Sequence, residues 1–406
     1  MTNDGGISVG YVGVHSAYQV ALAAEEMGRL DRFYCSLLDA PGKWGGLLST
    51  VLGSKRLASR RVPGLPPERV IENPWPFLKS SARTALHQAR PDEWLRTCDT
   101  FDRWLATQLE QSDSRVFYGI ESCAERALGR AREKGMLCVI ECPGVHPKFM
   151  QNILAEASGT PGKNYLAAPM TQRKLRTHSL ADVLVTHSEI HTHSFLMAGV
   201  PREQIFECPL WVDPELFHSM GRVPRIGLAN PLRVLFAGRV TMLKGIPWLW
   251  EALRRVSNHV QLTVVGSANA EGRELLRRAP SNVTYRPAVT KAVLRNIYQS
   301  HDVLVLPSLI DSFGFVALEA MACGLPVILT DHCGAPVPDE SWRVPVRDSA
   351  AIAERLTRYA EDREQLARDG ERAATFAREH TPKAFRARIA DRFQTLLSAS
   401  NSPKAP

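Results

Sequence analysis

Two cations and two carboxylates carry most of the chemistry that the spacing of this chain allows. Leu235-Phe236-Ala237-Gly238-Arg239 runs into Val240-Thr241-Met242-Leu243-Lys244-Gly245. Read as a strand ending in Gly238-Arg239, a short loop, and a helix opened by Lys244-Gly245, this stretch brings both cations to the carboxyl edge of a sheet. Arginine offers a planar fork to phosphate oxygens and lysine a compact point charge. Either alone reads as an ordinary surface residue. A second stretch, 311–331, begins with Asp311 and Ser312-Phe313-Gly314, then enters an apolar, alanine-rich helix that carries Glu319. A carboxylate on an apolar helix is costly unless paired or facing a ligand. A ribose diol would satisfy it, and so would a salt bridge to a neighbouring helix. In open α/β sheets ligands bind at this edge, where helix N–H groups hold anions. A phosphorylated, hydroxylated ligand suits the set.

These side chains need strands and helices to place them. After residue 230, strands are expected at 233–237, 261–265, 283–285, 303–306 and 327–329, each followed by a helix, which makes a parallel sheet covered on both faces. The first half alternates too. Strands are expected at 7–14, 32–38, 116–118, 137–141, 182–186 and 205–208, and helices at 17–27, 82–89, 92–111, 123–134, 148–157, 167–180 and 190–197. Within it, 44–61 sets Trp44, Leu47, Leu48, Val51 and Leu52 at helical spacing among Lys43, Lys55, Arg56, Arg60 and Arg61. That reads as a basic amphipathic helix on an anionic bilayer, or as an ordinary helix packed on its own domain. The proline-rich stretch 63–76 reads as a loop or strap. The expected layout is a first domain at 1–215, a linker at 216–229 and a second domain at 230–380. A C-terminal helix that packs back on the first domain and a disordered tail fill 381–406. Two such domains face each other across a cleft, a favoured ligand site.

Length and composition agree with this layout. At 406 residues two cores are expected. The 50 basic residues exceed the 42 acidic ones by 8, which suits an anionic small ligand or lipid surface as well as nucleic acid. No interleaved aromatic and basic stripe or RNA-binding signature is present, so nucleic acid is set aside. The cysteines mostly lie in apolar runs such as Leu137-Cys138-Val139-Ile140, as buried thiols of a reducing compartment do. Cys138 and Cys142 lack a second pair or a histidine cluster, so no structural metal is expected. The N-terminus has no basic region before an apolar run, so no signal peptide is expected. No apolar run approaches 18 residues. A cytoplasmic location follows, with peripheral membrane contact from that side if 44–61 lies on a bilayer.

Gly238-Arg239, Lys244-Gly245, the acid-x7-Glu spacing of Asp311 and Glu319, and AMACGLPVI together resemble the donor-binding half of the retaining glycosyltransferases of family 4. The likeness covers about 230–345 well and extends faintly through 182–217. It implies a GT-B fold: two Rossmann-like domains facing across a cleft, with a nucleotide sugar as donor. It also implies roles. Arg239 and Lys244 would grip the diphosphate, Glu319 the ribose hydroxyls, and Asp311 the transferred sugar. Gly238, Ser312 and backbone N–H groups near Phe313, Gly314 and Phe315 would complete the substrate contacts. Gly13 would face the diphosphate from the first domain, and His146 would lie near the sugar. Asp311 stands where the family usually has glutamate, and Leu210-Trp211 replaces its usual Asn-Gly.

No Asp-x-Asp occurs, so the expected transfer is metal-independent and needs no cofactor beyond the donor. In the family, the acceptor hydroxyl attacks from the face the diphosphate leaves, and a phosphate oxygen takes the proton. The acceptor would be a glycan, a lipid-linked or cell-envelope hydroxyl, or a small molecule. Two alternatives share the fold: a nucleotide-sugar-binding protein without turnover, and a nucleotide-sugar epimerase. A nicotinamide dehydrogenase is disfavoured because neither first βα turn carries Gly-x-Gly-x-x-Gly.

Overall fold

The computed structural model describes residues 5–14, 16–52, 57, 60–86, 88, 90–158, 165–222, 231–256 and 260–399. The chain opens with β1 (Ile7–Tyr11), α1 (Ala17–Glu26), β2 (Leu30–Cys35) and α2 (Trp44–Leu52). It continues through β3 (Val70–Glu72), α3 (Trp75–Ala85), α4 (Glu93–Leu109), β4 (Val116–Ile120), α5 (Glu125–Glu133) and β5 (Leu137–Glu141). The half closes with α6 (Pro147–Ser158), α7 (Pro169–Leu180), β6 (Val183–Thr186), α8 (Glu189–Leu196) and β7 (Ile205–Glu207). All seven strands run parallel in the order β3-β2-β1-β4-β5-β6-β7. ISVGY and VFYGI are buried along their whole length, as strands covered on both faces must be.

The second half repeats the scheme. Its elements are β8 (Leu232–Ala237), α9 (Ile246–Arg255), β9 (Val260–Val265), α10 (Ala270–Arg277), β10 (Val283–Arg286), α11 (Lys291–Ser300), β11 (Val303–Leu306), α12 (Phe315–Ala322), β12 (Val327–Thr330) and β13 (Arg343–Val344). These strands form a six-stranded parallel sheet, β10-β9-β8-β11-β12-β13. Helices α13 (Ser349–Glu361), α14 (Arg363–Ala377) and α15 (Pro382–Ala399) finish the chain. Helix α15 lies on α1, where Arg386 pairs with Glu26 at 2.9 Å and donates to Gln19 at 2.8 Å. The expected tail from 400 onwards and the second half of the expected linker (223–229) lie outside the described residues.

Beyond β13, which the sequence reading did not expect, three features differ from the sequence expectations. The proline-rich stretch contains β3, which pairs with β2 as an edge strand, the place where nearby prolines do least harm to a ladder. Helix α3 begins at Trp75 rather than near 82, with Pro76 in the first turn, where a missing N–H costs nothing. Helix α2 ends at Leu52, and the described basic residues around it are engaged within the domain. Arg60 is buried and donates to the Ser36 hydroxyl at 2.9 Å and to that of Tyr18 at 3.2 Å. Arg61 pairs with Asp39 at 2.7 Å, and Lys43 donates to the Val70 carbonyl at 2.6 Å. Lys55 and Arg56 lie outside the described residues.

Candidate active site

The second-domain edge is built on two glycines. Lys244 ends a 3-10 turn, and Gly245 follows at φ +72°, where a Cβ would fall 1.7 Å from the Pro307 carbonyl oxygen. Only glycine lets this turn lie against the end of β11. Leu309 N–H then donates to the Leu243 carbonyl at 2.9 Å. The Lys244 ammonium reaches Asp311 Oδ2 at 2.5 Å, and Asp311 Oδ1 accepts the Gly314 N–H at 3.0 Å. Gly314 also has φ +72°, and a Cβ there would sit 2.8 Å from Cys333 Sγ. The aspartate therefore holds a cation and shapes the head of α12 at once. Arg239, after β8, is exposed and has no ion pair among the described residues.

The rest of the 311–319 set divides by burial. Phe313 is buried, while Phe315 is exposed at its edge, with ring centres 5.1 Å apart. Ser312 spans the cleft. Its hydroxyl donates to the Pro143 carbonyl at 2.9 Å, and its carbonyl accepts the Ser188 hydroxyl at 2.6 Å. Glu319 takes the arrangement that the ion-pair alternative describes: Tyr298 OH donates to it at 3.1 Å and Lys291 lies 3.6 Å away on α11. Burial raises its carboxyl above the usual range, with Lys291 and Tyr298 acting against the shift.

On the facing edge, the loop after β5 brings Pro143 to Ser312 but turns His146 inward. Its ring lies 5.6 Å from that of His178 and 5.1 Å from that of Phe195. Burial, with His178 and Lys148 nearby, pushes it down to about 4. Gly13 lies half-buried on the loop after β1, against the Tyr11 ring. That loop ends at Ser16, whose hydroxyl donates to Glu141 at the end of β5. Tyr118 OH donates to the same fully buried carboxylate at 2.6 Å, and His187 Nε2 lies 3.2 Å from it. Sequence reasoning passed over Glu141, although an acid ending the apolar run Leu137–Glu141 is the same signal that marked Glu319. Nothing among the described contacts ties Gly13, Gly238 or Arg239 directly to the Lys244–Asp311 pair.

Glu121, Cys142 and His178 bring three ligand atoms within 4.8 Å of one another. Their pairing is already internal: Lys174 lies 2.5 Å from one Glu121 oxygen and His178 Nε2 2.6 Å from the other. Burial pushes the Cys142 thiol well up, away from the thiolate a metal would need. All eight cysteines are buried and free.

Solved structures with this layout span the whole chain. Sucrose-phosphate synthase from Thermosynechococcus elongatus matches with a TM-score of 0.67 at 18% identity, covering 97% of this chain and 100% of that one. Anabaena HepE in complex with UDP matches with 0.64 at 16%, covering 96% and 100%. The architecture is GT-B. Within the GT-B pair, residues 231–362 match the family model of Glycosyl transferases group 1, the segment that holds Arg239, Lys244, Asp311 and Glu319. A D-inositol 3-phosphate glycosyltransferase of Paenarthrobacter aurescens is 32% identical over 173 residues, 39% of this chain and 40% of that protein. The amylovoran biosynthesis glycosyltransferase AmsK of Erwinia amylovora is 27% identical over 200 residues, 44% and 48%. The chain thus aligns with less than half the length of these curated relatives.

Proposed function

We propose that the chain is a retaining glycosyltransferase of family 4 that moves a sugar from a nucleotide-sugar donor to a hydroxyl acceptor without a metal. The observation that carries this reading is the Lys244–Asp311 pair at the head of α12, inside the segment matching the group 1 model, which also holds Arg239. Arg239 and Lys244 neutralise the diphosphate as it leaves, and preorganised charge of this kind acts where charge develops. Asp311 holds Lys244 in place and presents its remaining lone pairs to sugar hydroxyls. Glu319 exchanges its bonds to Tyr298 and Lys291 for the ribose diol. The loops of Gly13 and His146 close the site from the first domain, on the acceptor side. With no Asp-x-Asp in the sequence, the positive field comes from these two side chains and helix N–H groups, and activity is expected to persist in EDTA.

The structure titled as HepE with UDP makes UDP-sugars the first donors to try. The relatives named for D-inositol 3-phosphate and for amylovoran biosynthesis put a phosphorylated polyol first among the acceptors to try, with a glycan or lipid-linked hydroxyl next, reached from the cytoplasmic side. The test is a thermal-shift panel of UDP-, GDP- and ADP-sugars, followed by turnover with acceptor and the anomeric configuration of the product. A ligand at a hundredfold excess over its Kd stabilises by about 2.7 kcal/mol. A panel with no shift, or an altered sugar still attached to its nucleotide when no acceptor is present, would overturn the assignment.

A further inference from the structure

Helices α2, α3 and α4 turn an unusual face to solvent. In α2 the small residues face inward: a Cβ on Gly45 would fall 2.2 Å from the Leu38 carbonyl oxygen, and one on Gly46 2.1 Å from that of Ala40. The apolar side faces outward, with Trp44, Leu47 and Val51 exposed by 47%, 59% and 81%. The Trp44 ring lies 6.0 Å from that of Trp75, which is itself more than half exposed at the head of α3. Trp75, Lys79, Arg83 and Leu86 recur at i, i+4, i+8 and i+11, along one stripe of that helix. Between α3 and α4 opens a cavity of about 460 Å³, lined by Trp75, Lys79, Arg83, Arg90 and Arg96 with Glu93 as its one acid. Arg83 is paired with Glu93 and Arg96 with Asp92. Lys79 and Arg90 are exposed and have no ion pair among the described residues.

We propose that this surface docks the chain on an anionic lipid bilayer. Trp44, Leu47 and Val51 enter the boundary between headgroups and acyl chains, and a headgroup phosphate lies between Lys79 and Arg90. Tryptophan is favoured at that boundary because its ring is apolar with one polar edge. An outward apolar helix face beside unpaired cations is the arrangement that binds anionic leaflets. Helix α3 starts directly after β3, with Asn73 N–H still bonded to the Cys35 carbonyl at the end of β2. The surface therefore lies at the same strand-carboxyl edge as the loops of Gly13 and His146, and a docked membrane would offer hydroxyls on the acceptor side.

The test is flotation of the full chain with phosphatidylcholine vesicles, and with vesicles that also contain phosphatidylglycerol. No donor is added, so the result is independent of glycosyl transfer. The chain is expected to float with the anionic vesicles only. Lys79→Gln with Arg90→Gln should cut binding about tenfold or more, Trp44→Ser with Leu47→Ser should abolish it, and Arg277→Gln with Arg278→Gln at the end of α10 should leave it unchanged. Circular dichroism checks that each variant is folded. No flotation, equal flotation with neutral vesicles, or indifference to both docking variants would overturn the proposal. So would tight binding of free glycerol phosphate without vesicle uptake, or a self-associated species that the Trp44 variant dissolves.

Discussion

At the edge of the second sheet, Arg239, Lys244 and Asp311 stay within reach of water, and Arg239 has no ion pair among the described residues. Behind the edge of the first sheet, Glu121, Glu141, His146, His178, His187 and His191 are buried. Both carboxylates are engaged internally, Glu121 by Lys174 and His178 and Glu141 by Ser16, Tyr118 and His187. Glu121 is the clearest case: burial works to raise its carboxyl, yet Lys174 and His178 hold it at about 2. Titratable groups cluster in both domains, but only one cluster leaves charge to spend on a ligand. The other fixes loops, as Glu141 does through Ser16. The contrast teaches that a crowd of titratable groups marks a binding edge when it leaves a charge without an internal partner.

That contrast can be broken. The largest effect is expected in the first domain at Asp102, which is fully buried, accepts the N–H groups of Arg126 and Ala127 at 2.8 and 2.9 Å, and pairs with Arg173. Asp102→Ala leaves Arg173 buried without its main partner and should cost about 3–5 kcal/mol in urea unfolding. A loss near zero would mean the buried network is not structural. Next, Arg239→Ala or Lys244→Ala should cut transfer at least about a hundredfold, about 2.7–4 kcal/mol, with the unfolding midpoint of the Arg239 variant unchanged. Near-normal turnover in both would reduce the second edge to ordinary surface charge.

A smaller effect should appear with pH. Burial depresses His146 to about 4 and His191 to about 3, from an ordinary 6.5. Below 6.5 the unfolded chain therefore binds protons that the folded chain refuses. Stability is full above that pH and falls on acidification, by at most about 1.4 kcal/mol per unit for each histidine. Glu121 weakens the fold only lower, from about 4.5 towards 2. Unfolding midpoints at pH 7 and 5.5 should draw closer in His146→Gln; an unchanged gap would remove this histidine from the network. The smallest effect belongs to Lys291→Ala: its charge is largely exposed, and stability should shift by roughly 0–1 kcal/mol. A larger loss would place Glu319 among the internally paired acids of the first kind.

The alternation of strands and helices was legible because buried parallel strands are continuous apolar runs, and β8 to β12 fall within a residue or two of their expected bounds, whereas the two-residue β13 was not expected. Strand β3 was hidden because prolines dominate its surroundings, whereas the pairing of Val70 with Phe33 depends on a neighbour distant in sequence. Lys244 and Asp311 could be named as chemical types, but their mutual bond requires Gly245 to bring the turn against Pro307. For Glu319 both readings were open, and the resting side chain sits with Tyr298 and Lys291. The basic residues near α2 were visible as charge, yet whether an arginine goes inside depends on what waits there: Arg60 meets Tyr18, Ser36 and the Phe77 ring.

Ser312 has a consequence for motion. Both of its cross-cleft bonds go to the first domain, while its neighbour Asp311 anchors Lys244. Parting the two halves would therefore have to pull on the loop that positions the cation. The chain is wired like a door whose latch also carries the switch.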